Sequence, residues 1–229
     1  MTQGQPAAGS MESLYPFLYS GTTDLDAVLE QVRQSTVAKA AEITELRRVI
    51  GARDGARLAA CAADAAARFA AGGRLLAFGN GGSATDAQQL AALFLNPGGT
   101  ARPLPALGLA SDISVVTALC NDIGVDVVFA RQIAALGRRD DIAVGLSTSG
   151  NSDNLLRAFD EASRRGLLTV GLAGYEGGKM AELDSIDYLF VAPSSSVHRI
   201  QEAQTTVYHV LWELIQRCLA QAGEAGPGR

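Results

Sequence analysis

The stretch LLAFGNGGSATDAQQLAAL, residues 75–93, decides how this chain folds. Its first five residues are a short apolar run that ends in Gly79-Asn80-Gly81-Gly82, and a helix follows from Ser83. Strand, glycine-rich turn and helix in that order open a β-α unit. The front half has the composition of an anion cradle. The back half carries Gln89 and Leu93, neither of which moves a proton readily.

The same alternation continues downstream. Residues 106–109 read as a strand, with helical segments near 113–120 and 126–136. Residues 142–146 are a strand, followed by a helix over 153–165. A strand at 167–172, a short helix near 179–183, a strand at 188–191 and a last helix over about 197–220 complete the series. Five strands separated by helices imply a parallel sheet covered on both faces. Upstream, apolar residues recur at three- and four-residue steps from Asp24 to Ile50, with Asp24 placed to cap the run. A second, Ala-rich helix spans 56–71 and stops at Gly72-Gly73. The two read as a hairpin over 24–71, docked on the α/β core of 72–220 or on another subunit. Residues 1–23 read as a loose lead-in and 221–229 as a tail, so 24–220 form one domain.

The composition narrows the function. The net charge is -5 and there is no basic tract, which argues against nucleic acid and anionic membrane as partners. Cys61, Cys120 and Cys218 are odd in number and widely spaced, so they propose neither a disulfide framework nor a CxxC metal site. Buried thiols in a reducing cytoplasm are the plain reading. No apolar run reaches the roughly 18 residues that span a bilayer, and the first residues lack a secretory signal pattern.

Two loops have the character of anion sites. One is Gly79-Asn80-Gly81-Gly82-Ser83, and the other is Ser147-Thr148-Ser149-Gly150-Asn151-Ser152. Each follows a strand and opens a helix, where free N–H groups and the positive end of the dipole favour an anion. Either could also be an ordinary turn with an N-cap. The second is the sharper signal, because four hydroxyls in six residues exceed what one cap requires. Neither loop contains Lys or Arg, so an anion there would rest on dipole, hydroxyls and backbone. Gly79, Gly81 and Ala84 also satisfy G-x-G-x-x-A, but the nearest acidic candidate, Asp112, lies 28 residues past Ala84, too far for a dinucleotide site. A mononucleotide P-loop is excluded by the absence of GKS or GKT.

GNGGSATDAQ, then LSTSGNS, then RIQEAQTTVYH, in that order and spacing, resembles the sugar isomerase (SIS) domain family, and within it the phosphoheptose isomerases. CNDIGVDVVFARQ at 120–132 and GYEGGKMAELDSIDY at 174–188 agree, so the resemblance runs over roughly residues 24–217. It implies a three-layer α/β/α sandwich around a five-stranded parallel sheet, flavodoxin-like or Rossmann-like. It also implies a cytoplasmic homotetramer with sites between subunits, acting on sedoheptulose 7-phosphate by aldose–ketose isomerisation. On matching positions, Ser147, Thr148, Ser149 and Ser152 hold the phosphate. Asn80, Gly81, Gly82 and Ser83 line the sugar, and Asp122 is a polar position near the substrate.

An enediol route needs one group to remove a proton and another to polarise the carbonyl. The resemblance implies a Glu on the helix after the glycine-rich loop and a His on the last helix. The His is His209, eight residues after Gln201, so the two face roughly the same way. Gln201 is itself a family site residue. The family's other His and its Glu fall on Gln89 and Leu93. In zinc-carrying relatives those two positions join Gln201 and His209 as ligands, so no metal and no other cofactor is expected here. His198, Asp86 and Glu202 are the nearest replacements by sequence, although His198 reads more readily as a surface or cap residue and Asp86 belongs to the ordinary motif. Two functions remain open. One is an isomerase with a substituted base. The other is a non-catalytic tetramer that senses a sugar phosphate or serves as an interaction scaffold.

Overall fold

The computed structural model describes residues 25–224, and the expectations for residues 1–24 and for the tail beyond 224 lie outside them. The elements in chain order are α1 (Leu25–Ala70), β1 (Leu75–Gly79), α2 (Gly82–Leu95), β2 (Ala106–Gly108), α3 (Ile113–Ile123) and α4 (Val128–Leu136). They continue with β3 (Ile142–Leu146), α5 (Asp153–Arg164), β4 (Leu168–Gly174), β5 (Tyr188–Ala192) and α6 (Val197–Glu224). Single 3₁₀ turns occupy Val125–Val127 and Gly178–Glu182.

The expected hairpin is corrected by α1, which is one unbroken helix of 46 residues. Gly51 and Gly55 sit inside it, and a Cβ at either would meet open space. A helical glycine costs about 1 kcal/mol relative to alanine. Here continuous packing outweighs that cost, because Ile50, Asp54, Leu58, Cys61, Ala62 and Ala65 bury a single stripe through the segment. The chain divides into two units, Met1–Glu42 and Ile43–Arg229. In the first, the described residues are helical and expose Leu25, Val28, Leu29, Val32 and Val37.

The second unit holds the sheet, five parallel strands in the order β2-β1-β3-β4-β5. Strands β1, β3 and β4 are buried throughout, which is why each reads as a continuous apolar run. Alternate residues face opposite layers. Leu75 and Ala77 join the core built with α1, α2 and α6. Leu76 and Phe78 join the core built with α4 and α5, where Phe78 packs between Phe129 and Phe159 at 5.6 and 5.2 Å. The result is the expected α/β/α sandwich. Among the described residues, no helix is long and apolar enough to cross a membrane.

The strand order decides where the site lies. From β1 the chain moves to one side to form β2, then returns to the other side of β1 to form β3. The loops after β1 and β3 therefore diverge from neighbouring strands, with Gly79 paired in register to Leu146. A crevice at such a switch point, beyond the carboxyl ends of the strands, is where open α/β sheets take ligands.

Candidate functional site

The two loops meet through a pair of side-chain amides. Asn80 Nδ2 donates to Asn154 Oδ1, and Asn154 Nδ2 donates back to Asn80 Oδ1, both at 2.9 Å. Asn154 is buried on the first turn of α5 and ties that helix to the glycine-rich loop. Glycine is required in both loops. Gly81 has φ +54°, and Gly150 has φ +69° with room for no Cβ, which would stand 1.9 Å from the Gly177 carbonyl oxygen.

The serine-rich loop is fixed from within and below. Ser147 Oγ accepts from the Gly150 N–H at 2.9 Å, and Ser149 Oγ accepts from the Asn151 N–H at 3.3 Å. Gln204 Nε2, from α6, donates to the Ser147 carbonyl at 2.8 Å. The Ser152 side chain does not cap α5. Its hydroxyl and that of Thr148 are therefore open to a ligand beside the positive end of that helix.

On the other side of the crevice, α6 brings Gln201 against the first turn of α2. A Cβ on Gly82 would lie 2.4 Å from Gln201 Nε2, so a larger residue there would displace this amide. Gln201 Nε2 also reaches Asp86 Oδ2 at 3.4 Å. Burial pushes the Asp86 carboxyl above its ordinary range, and the contact with Gln201 opposes that rise. Ser83 is buried next to this pair.

The remaining predicted residues are distributed unevenly. His209 is exposed, with Nδ1 2.8 Å from the Thr205 carbonyl and its ring stacked on Tyr208 at 4.9 Å. A carbonyl accepts only from a protonated nitrogen, so the neutral ring carries its proton on Nδ1 and presents Nε2 as an acceptor. The eight-residue step from Gln201 leaves about 80° between the two side chains. Gln201 accordingly faces inward and His209 outward, a wider divergence than the spacing suggested. His198 is exposed near the start of α6. Asp122 is exposed near the end of α3, where its Oδ1 accepts from Asn121 Nδ2 at 2.9 Å.

Gln89 and Leu93 occupy the later turns of α2. The Tyr208 hydroxyl donates to Gln89 Oε1 at 3.5 Å. Leu93 is half-buried and packs against the core built with α1 and α6. Sequence reading missed Asn154, Gln204 and Tyr208. Gln204 has a faint signal, since it stands three residues after Gln201 on one helix face.

The chain is similar to known proteins over most of this structure. Residues 40–174 match the model of the SIS domain family. The phosphoheptose isomerase of Solidesulfovibrio magneticus is 48% identical over 171 residues, covering 72% of this chain and 82% of that protein. The phosphoheptose isomerase of Thermodesulfovibrio yellowstonii is 44% identical over 149 residues, covering 65% and 73%. The solved phosphoheptose isomerase of Neisseria gonorrhoeae superposes with a TM-score of 0.73 at 34% identity, covering 81% of this chain and 99% of that one.

Proposed function

The chain belongs to the SIS domain family, among the phosphoheptose isomerases, and on that footing we propose that it binds a sugar phosphate in the crevice between the β1 and β3 loops. The phosphate sits on Ser147, Thr148, Ser149 and Ser152, and the sugar lies along Asn80, Gly81, Gly82, Ser83 and Gln201. The observation that carries this reading is the Asn80–Asn154 amide pair, which joins the two helix N-termini into one cradle. Sedoheptulose 7-phosphate is the proposed ligand, in keeping with the relatives named phosphoheptose isomerase.

For turnover, a proton must pass between the two carbons that exchange carbonyl and hydroxyl. His209 Nε2 is the proposed acid/base, with its tautomer set by Thr205. The Gln201 amide is placed to donate to the carbonyl oxygen. The carboxylate is the open position, because Leu93 packs against the core. Asp86 is the carboxylate beside Gln201, and its raised affinity for a proton suits a base.

The four positions that hold zinc in some relatives do not fit the metal here. Leu93 offers no donor and packs on the core, and Gln89 Oε1 is turned to Tyr208. Gln201 and His209 alone make a poor site for zinc. We therefore propose a metal-free, cofactor-free protein and route no step through zinc.

One observation favours a second reading, a sugar-phosphate sensor or scaffold without turnover. Position 93 is an apolar packing position and carries no carboxylate. In either reading we propose a cytoplasmic homotetramer with sites between subunits. None of α3 is buried, and Ile113 is 69% exposed, which fits a surface covered by another copy. Incubation with sedoheptulose 7-phosphate, followed by NMR, separates the readings. Heptose product that disappears in His209→Ala supports the isomerase. Saturable binding with no turnover supports the sensor. An absence of both binding and turnover would overturn the proposal.

A further inference from the structure

Two grooves lie away from Asn80 and Gln201 and share a wall. One, of about 730 Å³, is lined by Ser149, Tyr175, Glu176, Ser194 and Ser195 with three others. The second, of about 310 Å³, is lined by Arg53, Asp54 and Arg57 of α1 and again by Tyr175, Glu176 and Pro193. Tyr175 and Glu176 thus face both.

The second groove sets two guanidinium groups, Arg53 and Arg57, beside two carboxylates, Asp54 and Glu176. Asp54 is 2% exposed and stands between two guanidinium groups. Arg53 holds Asp54 Oδ2 through Nε at 3.0 Å and Nη2 at 2.5 Å, and Nη2 also reaches the Val191 carbonyl at 2.5 Å. Arg57 makes one longer contact, Nη1 to Asp54 Oδ1 at 3.4 Å, with its guanidinium 5.4 Å from the Phe190 ring centroid. One buried anion therefore fixes two cations side by side on a chain of net charge -5. Most of their N–H donors remain uncommitted.

The shared wall has a different chemistry. Tyr175 has φ +50°, a conformation that bulky residues rarely take, and its ring is 41% exposed. Among the described residues, neither the Tyr175 hydroxyl nor the Glu176 carboxylate has a hydrogen-bond or ion-pair partner. A free carboxylate repels a bare anion but accepts two O–H groups from a vicinal diol. An exposed aromatic face suits the C–H face of a sugar or a flat base. Cations at one end and a carboxylate with a ring at the other select a ligand that is anionic at one end and hydroxyl-rich beyond it.

We propose that these grooves form a second ligand site, centred on Arg53, Arg57 and Glu176 and bordered at its far edge by Ser149 of the serine-rich loop, that takes a phosphorylated polyol. Its phosphate rests on Arg53 and Arg57, its vicinal hydroxyls on Glu176, and its ring against Tyr175. A sugar phosphate and a nucleoside monophosphate share this chemistry.

The test is calorimetric titration of the full chain with ribose 5-phosphate, AMP and inorganic phosphate. It is repeated in a Thr148→Val, Ser152→Ala background, which removes two of the serine-rich loop's hydroxyls and so weakens the first site. Saturable binding of ribose 5-phosphate or AMP is expected, tighter than inorganic phosphate. Arg57→Gln should weaken it roughly tenfold or more, and Glu176→Gln and Tyr175→Ala several-fold each. Arg57 is half exposed and makes only the one long bond, so its replacement leaves the fold intact. The arm that responds identifies the source: AMP alone marks a nucleotide site, ribose 5-phosphate alone a sugar-phosphate site, and both a site that reads only the shared unit. Affinities unchanged by Arg57→Gln and Glu176→Gln, or no saturation by either probe at millimolar concentration, would overturn the proposal. That failure is separable from failure of the primary reading, which is tested by loss of sedoheptulose 7-phosphate affinity in Ser152→Ala with Arg57 intact.

Discussion

The first turn and the later turns of α2 belong to one helix and differ in kind. The first turn is held from several sides. Gly82 makes room for the Gln201 amide, Asp86 accepts from it, and the preceding Asn80 is locked to Asn154. Further along, about one turn apart, stand Gln89, in a long contact with Tyr208, and Leu93, packed on the apolar core. Binding geometry here is built from backbone, glycines and amides that support one another. Chemistry depends on two side chains, and Leu is well suited to position 93 because its surroundings are apolar.

Restoring the missing pair tests this contrast most severely. Leu93→Glu with Gln89→His should raise turnover of sedoheptulose 7-phosphate by about 10²–10⁴, the usual contribution of a positioned acid or base. Product NMR reads the change, and circular dichroism checks that the half-buried carboxylate is tolerated. No gain would show that the first turn and the serine-rich loop are not poised for chemistry, and the contrast would break.

The binding half should respond more modestly. Ser149→Ala with Ser152→Ala removes two hydroxyl donors to an anion, so affinity for sedoheptulose 7-phosphate should fall on the order of 10²-fold by calorimetry. An unchanged affinity would move the phosphate away from this loop.

The smallest effect concerns Asp86. Burial raises its folded pKa above the unfolded value, so its favourable contribution is full below the unfolded pKa and is lost as pH rises through the folded one. Near neutral pH the ionised group opposes folding. Asp86→Asn should therefore raise Tm by about 2 °C or less at pH 7, with the difference vanishing in acid. A fall in Tm at pH 7 would mean that the Gln201 contact outweighs the burial.

Much of the fold is legible in the sequence because its signals are local. Parallel strands covered on both faces must be apolar at every position, so LLAFG and IAVGL announce themselves. Glycine marks the turns because Gly81 and Gly150 adopt positive φ. The continuity of α1 is less legible. Gly51 and Gly55 weaken the helix locally, and what holds it is the stripe from Ile50 to Ala65 that meets the core. Gln204 is only faintly legible for the same reason, since its role rests on a carbonyl 57 positions away. The arginine pair on α1 has no local signature either, because Asp54 gains its meaning only by being buried between Arg53 and Arg57.

By itself, the sequence determined the β-α alternation and the glycine and serine loops. These are properties of residue type and short spacing. The tertiary structure alone decided that the two loops form one crevice, because strand order is a long-range choice. With β3 returning beside β1, Gly79 pairs with Leu146 and Asn80 meets Asn154. Local sequence specifies each loop, and only the pairing of distant strands makes them neighbours.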